Sequence, residues 1–147
     1  MLVADSSRIA AQAAAALKPG ARLLGTELWA NDHGIGATPR MRGAWYAAAP
    51  EARFDQLVTR YRARYGKVPY RLGSLGYDAA LLTVRASRSW AAGRPFPERV
   101  LTEKDGFAGV DGIFRFGREG VAERSLEVRE VTAAGTTIVS PAATVFP

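Results

Sequence analysis

The chain has 147 residues, 48% of them hydrophobic and 23% charged, the proportions of one ordinary folded domain rather than of a disordered segment. It has no cysteine and a single histidine, His33, which excludes disulfide frameworks, thiol nucleophiles and metal sites built on several imidazoles. No apolar run approaches the ~18–20 residues of a membrane span; the best, Ile9–Leu17, is broken by Gln12.

The N-terminus shows no basic region followed by a long apolar core, so no signal peptide is expected. Leu2–Ala4 reads as a short strand, and Asp5-Ser6-Ser7 supplies three good helix-capping residues. Ile9, Ala13, Ala16 and Leu17 recur at helical spacing until Lys18-Pro19-Gly20 ends the pattern. Arg22–Leu28 follows as a strand, with the adjacent Leu23 and Leu24 of a strand buried on both faces. This is a β-α-β unit, which gives parallel sheet. The turn-rich segment 31–39 leads to a strand over Gly43–Ala49, and Pro50-Glu51 opens a helix. Its apolar set, Phe54, Leu57, Val58, Tyr61 and Tyr65, lies on one face, with Gly66 placed to cap it. A longer helix is expected over Ser74–Ala92, with Leu75, Ala79, Leu82, Ala86 and Trp90 inward, and a short one over Pro97–Glu103. Val110–Phe116, Ala122–Val131 and Thr136–Val139 read as an antiparallel meander. The class is α/β, a parallel sheet with antiparallel C-terminal strands.

The net charge of +6 raises nucleic acid as a partner, but seventeen of the twenty basic residues are arginines, most of them scattered singly. With 27 alanines, that bias is the signature of GC-rich coding. Only Arg60, Arg62 and Arg64 cluster, and a solvated helix face accounts for them, so no nucleic-acid partner is expected. Gly34-Ile35-Gly36 is half of a dinucleotide fingerprint, without the third glycine or a helix start. Asp5-Ser6-Ser7 with His33 lacks the Gly-x-Ser-x-Gly elbow of a serine hydrolase, and Asp105 and Asp111 lie in turn contexts. No catalytic residue, cofactor or metal is expected.

In open α/β sheets ligands bind beyond the carboxyl ends of the strands. Ser6 and Ser7 follow the first strand at a helix N-terminus, and Glu27 ends the second strand beside Trp29. Hydroxyls, one carboxylate and an indole at one rim suit a polar ligand with a cationic group. Helix capping by Ser6, solvation of Glu27 and covering of a sheet edge by Trp29 account for the same residues.

Several segments together resemble the C-terminal half of a type I periplasmic solute-binding protein of the branched-chain amino-acid (Leu/Ile/Val) group. They are Leu24-Gly25-Thr26-Glu27-Leu28-Trp29, Gly43-Ala44-Trp45-Tyr46, the Phe54…Tyr61…Tyr65-Gly66…Pro69 helix, Gly76-Tyr77-Asp78-Ala79, and the Gly106-Phe107…Phe116 segment. The resemblance implies a partial, three-layer Rossmann-like fold with two lobes, a ligand held between them, export to the periplasm, and delivery of an amino acid to an ABC permease. It implies that Glu27 holds the ligand's ammonium group, with Ser6, Ser7 and Trp29 beside it. It also implies second-lobe elements over 1–42 and 106–147 and crossover and first-lobe helices over 43–105. Helices that lack the sheet they cover would be expected to associate with a second copy. A branch with the same fold, the activators of penicillin-binding proteins, implies instead a periplasmic interaction module acting on a cell-wall synthase.

Overall fold

Three parallel strands begin the chain: β1 (Leu2–Ala4), β2 (Leu23–Gly25) and β3 (Trp45–Ala48). The computed structural model describes residues 2–4, 6–18 and 20–147. Met1, Asp5 and Pro19 lie outside the described residues, and with them the capping role read for Asp5 and the helix-stopping role read for Pro19. Helix α1 (Ser7–Ala14) connects β1 to β2, as the β-α-β reading requires. It buries Ala10 and Ala14 while Ile9 is exposed. The inward face is thus not the one marked by Ile9, Ala13 and Ala16. Two alanines allow a closer approach of the helix to the core than branched side chains would.

The chain divides into two compact units, 1–49 with 126–142 and 50–125 with 143–147. The first is a five-stranded sheet of order β1-β2-β3-β7-β8, in which β7 (Glu127–Thr132) and β8 (Gly135–Ser140) are antiparallel additions. Tyr46 and Ala48 alternate inward from β3 and join Leu23, Trp29, Ile35, Met41 and Val131 in one apolar core. Trp45 lies opposite Glu130 in the β3–β7 register and donates its indole N–H to that carboxylate at 2.7 Å. Gly36 packs against the β7–β8 turn so closely that a Cβ would meet the Thr132 carbonyl oxygen at 2.1 Å. Gly36 thus serves a close backbone approach.

The second unit carries α2 (Ala52–Tyr65), α3 (Gly73–Ser87) and a separate three-stranded sheet, β4 (Phe107–Gly109), β5 (Gly112–Phe116) and β6 (Ala122–Arg124). The expected single meander is therefore two antiparallel sets in two sheets. The changes of unit fall at 49/50, 125/126 and 142/143, and β4–β6 pair only with one another. Gly66 caps α2 in the left-handed conformation (φ 68°) as its position foretold. Helix α3 stops at Ser87, short of Ala92. Beyond it Trp90 packs edge-on against Phe96 and donates to the Arg94 carbonyl.

Helix α3 turns inward Ala86 and, in part, Leu82 as expected, but its first half is rotated: Leu75 and Ala79 are exposed, and Ser74 and Asp78 are buried. Polar bonds set this rotation. Ser74 Oγ donates to Asp111 Oδ2 at 2.5 Å, and the Val110 N–H donates to Asp78 Oδ1 at 2.7 Å. Arg71 pairs with Asp111 at 2.8 Å and lies over the Phe54 ring. Asp111 lies in the β4–β5 turn, as its context suggested, and is buried there.

Candidate ligand-binding rim

The carboxyl ends of β1 and β2 open onto the first unit's rim. Ser6 is the N-cap of α1 by backbone conformation, but its side chain makes no capping bond; its carbonyl accepts the Ala10 N–H at 2.9 Å. Ser7 donates its hydroxyl to Asp32 Oδ2 at 2.7 Å, and the other carboxylate oxygen accepts the Gly34 N–H at 3.0 Å. That second bond is an Asx-type turn, which fixes the carboxylate. After β2 the chain does not continue extended to Leu28 as expected. Thr26 is extended, and a 3-10 turn runs over Glu27–Asn31.

This turn sorts the predicted residues. Glu27 opens it with an exposed side chain. Trp29 points the other way and is completely buried, its ring 6.0 Å from that of Tyr46. The indole sits against Gly25, where a Cβ would fall 2.2 Å from the ring. Trp29 therefore forms the floor under the rim and covers no sheet edge. Asp32, which the sequence reading passed over as a turn residue, is brought to Ser7. Among the described residues, the buried hydroxyl oxygen of Thr26 has no hydrogen-bond partner. Its place directly after a buried strand was the available signal. His33 is exposed. Among the described residues no group of three or more His, Asp or Glu side chains is disposed to hold a metal ion. No described helix is long and apolar enough to cross a membrane.

Two carboxylates, one of them fixed by a serine hydroxyl and a backbone N–H, make this rim an acceptor surface. An ammonium group carries three donors and no acceptor, so it is the complementary ligand group.

No family model and no curated protein matches the sequence. Solved structures do. The chain aligns with a leucine-binding protein, LivK, from Thermotoga maritima at a TM-score of 0.55 and 25% identity, over 96% of this chain and 41% of that one. It aligns with an extracellular ligand-binding receptor from Desulfohalobium retbaense at 0.62 and 25%, over 94% of this chain and 26% of that one. A third likeness, to LpoA from Haemophilus influenzae, has a TM-score of 0.60 at 16% identity, over 95% of this chain and 25% of that one; it shows the fold alone. The chain has the α/β fold of type I periplasmic solute-binding proteins, present in part. It spans 41% of the length of LivK, consistent with the C-terminal half of such a protein. The first two of these structures are described as a binding protein and a ligand-binding receptor.

Proposed function

We propose that the chain is part of a periplasmic solute-binding receptor of an ABC transporter, of the branched-chain amino-acid type, which delivers its ligand to the permease. The observation that carries this reading is the exposed carboxylate of Glu27 at the end of β2, with the Ser7–Asp32 pair on the same rim. The 25% identity to a leucine-binding protein over 96% of the chain supports it. In this reading Glu27 accepts hydrogen bonds from the ligand's ammonium group, and the hydroxyl of Ser6, which makes no capping bond, donates to its carboxylate. Ser7 acts through Asp32, and Trp29 holds Gly25 and the turn in place. Residues 1–42 supply second-lobe elements, and α2 and α3 supply first-lobe helices. The uncharged exposed residues of α3, with Leu72 before it, pack on a second copy.

A second reading, an interaction module like the penicillin-binding-protein activators, is favoured by one observation. The exposed side of α3 carries Gly73, Gly76, Ala79, Ala80, Thr83 and Val84 without a charge, a surface suited to protein contact. Affinity capture with this chain as bait from a cell-envelope extract separates the two. Recovery of permease subunits is expected; recovery of a peptidoglycan synthase without them supports the second reading and overturns the first.

A further inference from the structure

Residues 1–49 contain five basic residues, Arg8, Lys18, Arg22, Arg40 and Arg42, and four of them line one cavity of about 360 Å³. The cavity lies in the first unit at the N-terminal ends of β2 and β3, the opposite end of the strands from Glu27. Lys18 follows α1, Arg22 precedes β2, and Arg40 and Arg42 flank Met41 at the end of the 3-10 turn before β3. No acidic residue lines it, and none of the four cations forms an ion pair among the described residues.

Three of the four are held in place by contacts that leave their charge uncompensated. Arg40 Nη1 donates to the Ala14 carbonyl at 3.3 Å, and Arg42 Nε donates to the Gly36 carbonyl at 3.1 Å. The Arg22 guanidinium lies 4.2 Å over the Trp45 ring, whose own N–H is committed to Glu130. Each guanidinium keeps further N–H donors. Four like charges around one concavity repel one another, and an anion seated among them relieves that repulsion.

We propose that this cavity binds a phosphoryl-bearing anion, held by Arg22, Arg40 and Arg42 with Lys18 as a further point charge. A carboxylate needs one bidentate arginine; three arginines and a lysine match the double charge and the several acceptor oxygens of a phosphate. The volume falls in the range of small-molecule sites and exceeds a bare phosphate. Leu17 and Leu23, on the same wall, accommodate the organic part. The phosphoryl group belongs either to a lipid headgroup or to a soluble phosphate ester.

Calorimetric titration of the whole chain with inorganic pyrophosphate tests this. Saturable one-site binding is expected, weakened about tenfold or more by Arg40→Gln/Arg42→Gln. The single surface variant Arg22→Gln, which disturbs no backbone bond, is expected to weaken it as well. Arg60→Gln/Arg62→Gln on α2 removes equal charge and is expected to leave the affinity within about twofold. Absence of saturable heat, or equal weakening by the cavity and α2 variants, overturns the proposal. Co-sedimentation with phosphatidylglycerol vesicles identifies the source. Sedimentation lost in Arg40→Gln/Arg42→Gln indicates a lipid headgroup, whereas pyrophosphate binding without sedimentation indicates a soluble ester.

Discussion

The carboxylate of Asp78 occupies the space that a side chain at Gly109 would need: a Cβ built on Gly109 would lie 2.3 Å from Asp78 Oδ2. Through Oδ1 the same carboxylate accepts the Val110 N–H, and Asp78 is 3% exposed. One turn earlier, Ser74 bonds Asp111. The β4–β5 turn is thus attached to α3 through polar groups, and the mid-helix carboxylate and the turn glycine depend on each other.

Gly109→Ala is expected to cost about 1–3 kcal/mol by overpacking. Asp78→Ala is expected to cost a similar ~1–3 kcal/mol, since it strands a buried N–H. The double variant should cost less than the sum, because removing the carboxylate makes room for the new methyl group. Urea denaturation of the four proteins measures this; strict additivity would contradict the contact.

In the first unit Trp29 has no exposed surface and fills the space above Gly25. Trp29→Ala is expected to cost ~3–5 kcal/mol, the range for truncating a buried aromatic residue. Chemical denaturation checks it, and a loss near that of an average surface substitution would mean the indole is not part of the core.

Self-association is proposed for the helices of the second unit. Of the apolar residues that the sequence places on these helices, Phe54, Leu57 and Leu82 are half-buried, while Tyr61 and Leu75 are exposed. Leu72 at 78%, Leu81 at 48% and Val84 at 56% are exposed with them. Large apolar side chains left in water on and beside one helix are candidates for contact with a second copy. Light scattering coupled to gel filtration is expected to give a dimer or larger species at micromolar concentration; a clean monomer of 15.8 kDa would contradict it. Replacing Leu75 and Leu81 by Lys should shift the distribution toward monomer.

The β-α-β start, the capping of α2 by Gly66 and the α/β class were legible because each rests on local signals: strand length, helical spacing and a glycine at a helix end. The turn at Glu27–Asn31 was not, because Leu23, Leu24 and Leu28 together read as one strand, whereas burial of Trp29 against Gly25 bends the chain after Thr26. The rotation of α3 was hidden for a related reason. Apolar periodicity points Leu75 inward, but the bonds of Ser74 and Asp78 to 110–111 prevail. At the rim, the bond between Ser7 and Asp32 was not legible, since it joins residues 25 apart.

The central claim, an ammonium-holding rim at Glu27, is tested most directly by following backbone amide resonances while leucine is added to the chain. The account predicts weak, saturable shifts at Ser6, Ser7 and Gly25–Trp29, and none with isocaproate, which keeps the apolar group and lacks the ammonium. Glu27→Gln should weaken leucine binding by about 1.5–3 kcal/mol, the range for hydrogen bonds to charged groups. Leucine shifts that persist unchanged in Glu27→Gln, or that isocaproate reproduces, would contradict it.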